Sequence, residues 1–89
     1  ISPTFILLRE YEITNNQLPN SNFYHIDLYR LENNVEDELK NLGIGEIWGK
    51  GGNIVAIEWA EKVKGILPNN TIWINFEDLG GEKRKITIK

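Results

Sequence analysis

The sequence contains no cysteine and no methionine, a single histidine and three prolines in 89 residues. Without cysteine there is neither a disulfide framework nor a thiolate metal site. No apolar run approaches the ~20 residues that a bilayer span requires, and no signal-peptide pattern is visible. Positive charge is in deficit: 10 Lys and Arg against 13 Asp and Glu leave a net charge of -3. That balance is a poor electrostatic footprint for direct RNA binding. Internal repeats, low-complexity tracts and a second domain are also missing, so residues 1–89 read as one small domain. Such a domain buries only roughly 60% of its unfolded surface, which leaves a thin stability margin. A start at Ile1 with no methionine anywhere gives the expectation of a fragment or a processed chain.

What is present is organised around Asn53 to Glu61, NIVAIEWAE. Ile54, Val55, Ala56 and Ile57 form a short apolar run, which predicts a central strand buried on both faces. It stops at once on Glu58 and Trp59. Ligands of open α/β sheets bind beyond the carboxyl ends of the strands, so an acid there is well placed for a metal or a nucleophilic water. The plainer alternative makes Glu58 the first solvated residue after a core strand.

Thr4 to Ile13 reads as a strand, and Thr14 to Asn22, rich in Asn, as a loop. Phe23 to Leu31 is aromatic and β-prone and predicts a second strand. Val35 to Leu42 predicts a helix, with Val35, Leu39 and Leu42 on one face, Asn34 as its cap and Gly43 after its end. Ile44 to Trp48 adds a further helical turn, and Glu61 to Leu67 a weak short helix closed by Pro68. Thr71 to Glu77 alternates, with Ile72, Ile74 and Phe76 on one side. Gly80 and Gly81 signal a hairpin, and Lys83 to Lys89 alternates again. The expected fold class is α/β, a mixed parallel and antiparallel sheet with flanking helices, the last two strands antiparallel.

Asp27 lies in an apolar strand between Ile26 and Leu28. An acid there is expensive unless paired, hydrogen-bonded or metal-bound. Its structural partners by residue type are Arg30, His25 or Arg9. Its functional reading joins it to Glu58, because magnesium takes one or two carboxylates plus substrate phosphates. His25 reads first as a satisfied structural histidine, and the tryptophans Trp48, Trp59 and Trp73 first as packing residues. Arg84 sits in a charge cluster, Glu82 to Lys85, that is better explained by solvation than by a phosphate. The glycines of GKGG, Gly49 to Gly52, do not make a phosphate loop. That pattern needs two glycines five apart, then Lys and Ser or Thr, opening a helix, whereas GKGGN opens a strand.

SPTF at Ser2 to Phe5, EY at Glu10 and Tyr11, YHIDLYRL at Tyr24 to Leu31, LGI at Leu42 to Ile44, and IEW with Glu61 occur in this order. The chain thereby resembles the TsaE family, small P-loop ATPases of bacterial threonylcarbamoyladenosine tRNA modification. In that family a Walker A loop and its helix precede the SPTF segment, so the resemblance implies the C-terminal portion of a partial P-loop NTPase-like domain. It implies ATP and magnesium as cofactors, TsaD and TsaB as partners, tRNA reached only through the complex, and a cytoplasmic location. It places Thr4 in a nucleotide-sensing switch near the phosphates, Asp27 near the γ-phosphate or its water, Glu58 on magnesium in a Walker B-like role, and Trp59 among the residues needed at the nucleotide site. The family usually has Pro after that tryptophan; Ala60 stands here, which bears on the local turn. The alternative is a non-catalytic interaction domain that keeps only a partner-binding surface.

Overall fold

The computed structural model describes residues 7–13 and 21–89. Thr4 and the first part of the strand expected from Thr4 lie outside them. Among the described residues there are five strands in two sheets, two short α-helices and one 3₁₀ helix. Strands β1 (Leu7–Glu12), β2 (Asn22–Asp27) and β3 (Ile54–Glu58) form the first sheet in the order β1-β2-β3. β1 runs antiparallel to β2, and β3 runs parallel to it. A parallel neighbour needs a crossover, and here the crossover is α1 (Val35–Asn41) followed by α2 (Ile44–Gly49).

The sequence explains these elements locally. Val35 and Leu39 are one helical turn apart and both are buried, so they seat α1 in the core, next to α2 and the 3₁₀ helix. Leu42 does not join them. It is the C-cap and is 43% exposed, because the helix ends one residue earlier than its apolar spacing suggests. Gly43 then takes the left-handed conformation (φ 77) that ends one helix and starts the next. Asn34 precedes α1 as expected, but it makes no side-chain cap bond. It is itself left-handed (φ 55), and its carbonyl accepts the Glu38 amide at 2.9 Å.

The core consists of Ile26, Leu28, Leu31, Val35, Leu39, Ile44 and Val63, with Ile47, Trp48, Val55, Ile57, Ile66 and Leu67 packed against it. It lies on one side of the three-stranded sheet. Alternation along β3 sends Val55 and Ile57 into it and leaves Ile54, Ala56 and Glu58 on the other side. The expectation of a central strand buried on both faces is therefore corrected. β2 is the middle strand, β3 is an outer one, and Ile54 is 53% exposed because no described element covers that face.

Asn53 sets the register of β2 against β3. Its side-chain oxygen accepts the Asn22 amide at 3.1 Å, and its amide group donates to the Ile47 carbonyl at 2.9 Å. Pairing then runs from Phe23 opposite Ile54 to Asp27 opposite Glu58.

The expected antiparallel pair of final strands is present, as β4 (Ile74–Gly80) and β5 (Lys83–Ile88), but it forms a separate two-stranded sheet. Ile74 faces Ile88 and Phe76 faces Ile86, which puts four apolar side chains on one exposed face. Arg84 serves the turn of this hairpin. Its Nη1 donates to Asp78 Oδ1 at 3.0 Å and to the Lys83 and Gly81 carbonyls.

Candidate functional site

Two parallel strands end side by side at Asp27 and Glu58, which are register partners. Parallel partners share a face, so both acids lie on the side of the sheet away from the core, together with His25 and Ala56. Like charges set side by side in this way repel. The arrangement offsets that repulsion on one side only: His25 Nε2 donates to Glu58 Oε2 at 2.8 Å. The pair is partly solvated, with side-chain exposures of 36% and 58%. Among the described residues it engages one oxygen of Glu58, Oε2.

Asp27 has a different partner from those its residue type suggested. Its Oδ1 accepts the backbone amide of Tyr29 at 3.0 Å, an Asx turn that bends the chain away from the strand. The strand expected to reach Leu31 stops here for that reason. The Leu28 amide still donates to the Glu58 carbonyl at 3.2 Å, and the Leu31 amide then closes a turn on the Leu28 carbonyl. His25, offered by the sequence as a partner for Asp27, is taken by Glu58.

Trp59 follows Glu58 in a left-handed conformation, φ 64 and ψ 36. For a bulky aromatic residue that is a true outlier, with a cost of roughly 1–3 kcal/mol, and such strain gathers at functional sites. Trp59 is 48% exposed and so does not plug the core. Its ring meets Tyr29 at a centroid distance of 5.3 Å, and the Lys62 ammonium lies 5.6 Å from its centre. Ala60 in the place of a proline still allows a tight start to the 3₁₀ helix Ala60–Ile66.

Lys62 was given no role by the sequence, yet it is the most heavily bonded side chain of the site. Its ammonium donates to the carbonyls of Leu28 (3.1 Å), Tyr29 (3.0 Å) and Leu31 (2.8 Å). The only signal in the sequence is a cation three residues after Trp59, too weak to single out.

The structure thus brings Asp27, Glu58, His25, Trp59, Tyr29 and Lys62 to one end of the sheet. Arg84 is far along the chain, in the hairpin, and serves its turn. Among the described residues no three His, Asp or Glu side chains gather as a metal cage. No helix of the described residues is long and apolar enough to cross a membrane.

Comparison with known proteins gives a consistent picture. The sequence model of the family described as "Threonylcarbamoyl adenosine biosynthesis protein TsaE" matches residues 1–86. A tRNA threonylcarbamoyladenosine biosynthesis protein TsaE from Rickettsia typhi is 39% identical over 89 residues, 100% of this chain and 56% of the relative. The protein of that name from Rickettsia bellii is 40% identical over 99% of the chain and 55% of the relative. The one from Bacillus subtilis is 35% identical over 98% of the chain and 49% of the relative. The chain spans about half the length of the curated relatives it matches.

Proposed function

The chain belongs to the TsaE family of threonylcarbamoyl adenosine biosynthesis proteins, and on that premise we propose that it contributes the acidic side of an ATP site that serves tRNA threonylcarbamoyladenosine modification. One observation carries the reading: Asp27 and Glu58 end adjacent parallel strands on the same face, the one away from the core. Nucleotide phosphates are bound beyond such strand ends in open α/β sheets.

The donor set fits magnesium. That ion is normally held by one or two carboxylates together with phosphate oxygens, so a full protein cage is not required. When bound, it neutralises charge on the phosphates. Glu58 would hold it, in competition with its contact to His25. Asp27, fixed by the Tyr29 amide, would orient the γ-phosphate or its attacking water. Trp59 offers its exposed ring to the nucleotide side of the site. Thr4, outside the described residues, belongs in this reading to the switch segment near the phosphates. TsaD and TsaB are the proposed partners, tRNA is reached through them, and the location is the cytoplasm. ATP hydrolysis resets the complex in this scheme and does not transfer the threonylcarbamoyl group.

Nuclear magnetic resonance with magnesium and ATP tests the proposal. Shifts confined to Asp27–Tyr29 and Glu58–Trp59, lost in Glu58→Gln, are expected. Shifts centred on the hairpin, or no response at any concentration, overturn it. A second reading, an interaction module without chemistry, is favoured by a different observation: the exposed apolar face of β4 and β5.

A further inference from the structure

Three carbonyl oxygens converge on the Lys62 ammonium, those of Leu28, Tyr29 and Leu31. Convergent acceptors repel one another unless a donor sits between them. An ammonium has three protons and no acceptor, so Lys62 spends all three on this one loop. The loop begins immediately after Asp27, and Lys62 lies in the 3₁₀ helix that begins immediately after Trp59. The same loop supplies the Tyr29 amide that Asp27 accepts and the Tyr29 ring that Trp59 meets. Its other described ties to the β3 side are a backbone bond from Leu28 to Glu58, that aromatic contact, and the burial of Leu28 and Leu31 in the core that also holds Val63.

We infer that Lys62 is a positioning residue: its ammonium fastens the loop leaving β2 to the helix leaving β3, and so fixes Asp27 and Trp59 relative to one another. Its importance to chemistry rests on the ATP reading above; its action on the loop does not. A lysine placed only for surface charge would leave the loop to water. Here the charge is partly buried and satisfied by main-chain oxygens, where a hydrogen bond to an ionised group is worth more than a neutral one.

Amide hydrogen exchange on the 89-residue chain tests this. Lys62→Met keeps the aliphatic stem and removes the donors. Exchange at the Leu31 amide is expected to rise about tenfold or more relative to the Ile26 amide of the middle strand, as a local opening does. The Trp59 indole resonance moves with it. Lys64→Met removes the same charge from the same helix and leaves both readouts unchanged. Equal effects of the two substitutions, or a uniform change across Leu31 and Ile26, overturn the inference. Should Lys62→Met melt as a whole, Lys62→Arg decides: its planar fork does not fit three convergent carbonyls, so the Leu31 to Ile26 ratio still rises, and an unchanged ratio overturns the inference. Failure of the ATP reading appears separately, as absent magnesium–ATP shifts in the unmutated chain.

Discussion

His25 and Glu58 join two parallel strands through one contact, Nε2 to Oε2 at 2.8 Å. The contact competes directly with any cation that Glu58 is to hold. His25→Ala is therefore expected to strengthen magnesium binding at Glu58. Because the pair is partly exposed and screened, its loss costs less than about 1 kcal/mol of stability. Titration with manganese, read by line broadening near residue 58, and urea unfolding check the two halves. Weaker metal binding in His25→Ala would mean that His25 supports the site instead of blocking it.

The backbone of Trp59 supplies a second expectation. Replacement by glycine relieves roughly 1–3 kcal/mol of strain. It removes an aromatic pair and a cation–π contact worth about 1–2 kcal/mol together. Trp59→Gly should then leave the melting midpoint unchanged or raised, while nucleotide binding falls. A clear drop in the midpoint would show that the tryptophan is held for packing.

Leu39 is fully buried on α1, at the centre of the small core. Truncation to alanine costs about 2–5 kcal/mol, a large share of what a domain of this size holds. Urea denaturation should show the stability of Leu39→Ala lowered by about that amount. A shift of only a few tenths of a kcal/mol would mean that α1 is peripheral.

The hairpin bears on association. Phe76 and Ile88 are each 68% exposed, beside Ile74 and Ile86. A two-stranded sheet with a bare apolar face is marginal alone, and exposed patches of this kind mark contacts. Sedimentation at micromolar concentration should show self-association, reduced by Phe76→Lys. A sharply melting monomer would sink this expectation.

ATP turnover by the 89-residue chain alone should be unmeasurable, since no segment of it has the P-loop spacing. A steady rate, abolished by Glu58→Gln, would mean that another glycine segment cradles the phosphates.

Much of this was legible in the residues. The apolar run before Glu58, the Val35 and Leu39 spacing and the alternation of β4 and β5 each follow from side-chain period, which sequence carries directly. The placement of Glu58 at a strand end was legible too, whereas Asp27, expected inside a strand running to Leu31, ends its strand through the turn it makes with the Tyr29 amide. What escaped depends on groups that every residue shares. The three carbonyls that hold Lys62 and the amide that holds Asp27 have no signature in sequence. Neither does the left-handed turn at Trp59, since nothing in a tryptophan announces positive φ. The exposure of Ile54 and Ala56 escaped for another reason: an apolar run tells which strand is suited to burial, and covering both faces takes elements elsewhere in the chain.

Asn53 also acts as a ruler. It pins the starts of β2 and β3 to each other, and from there the two strands count the same number of steps to Asp27 and to Glu58. One extra residue after either asparagine would flip everything downstream to the opposite face, carrying one acid into the core side and parting it from the other. Insertions ahead of either asparagine change no count. Length variation among proteins that keep this pair of acids should therefore fall before the asparagines and be absent after them.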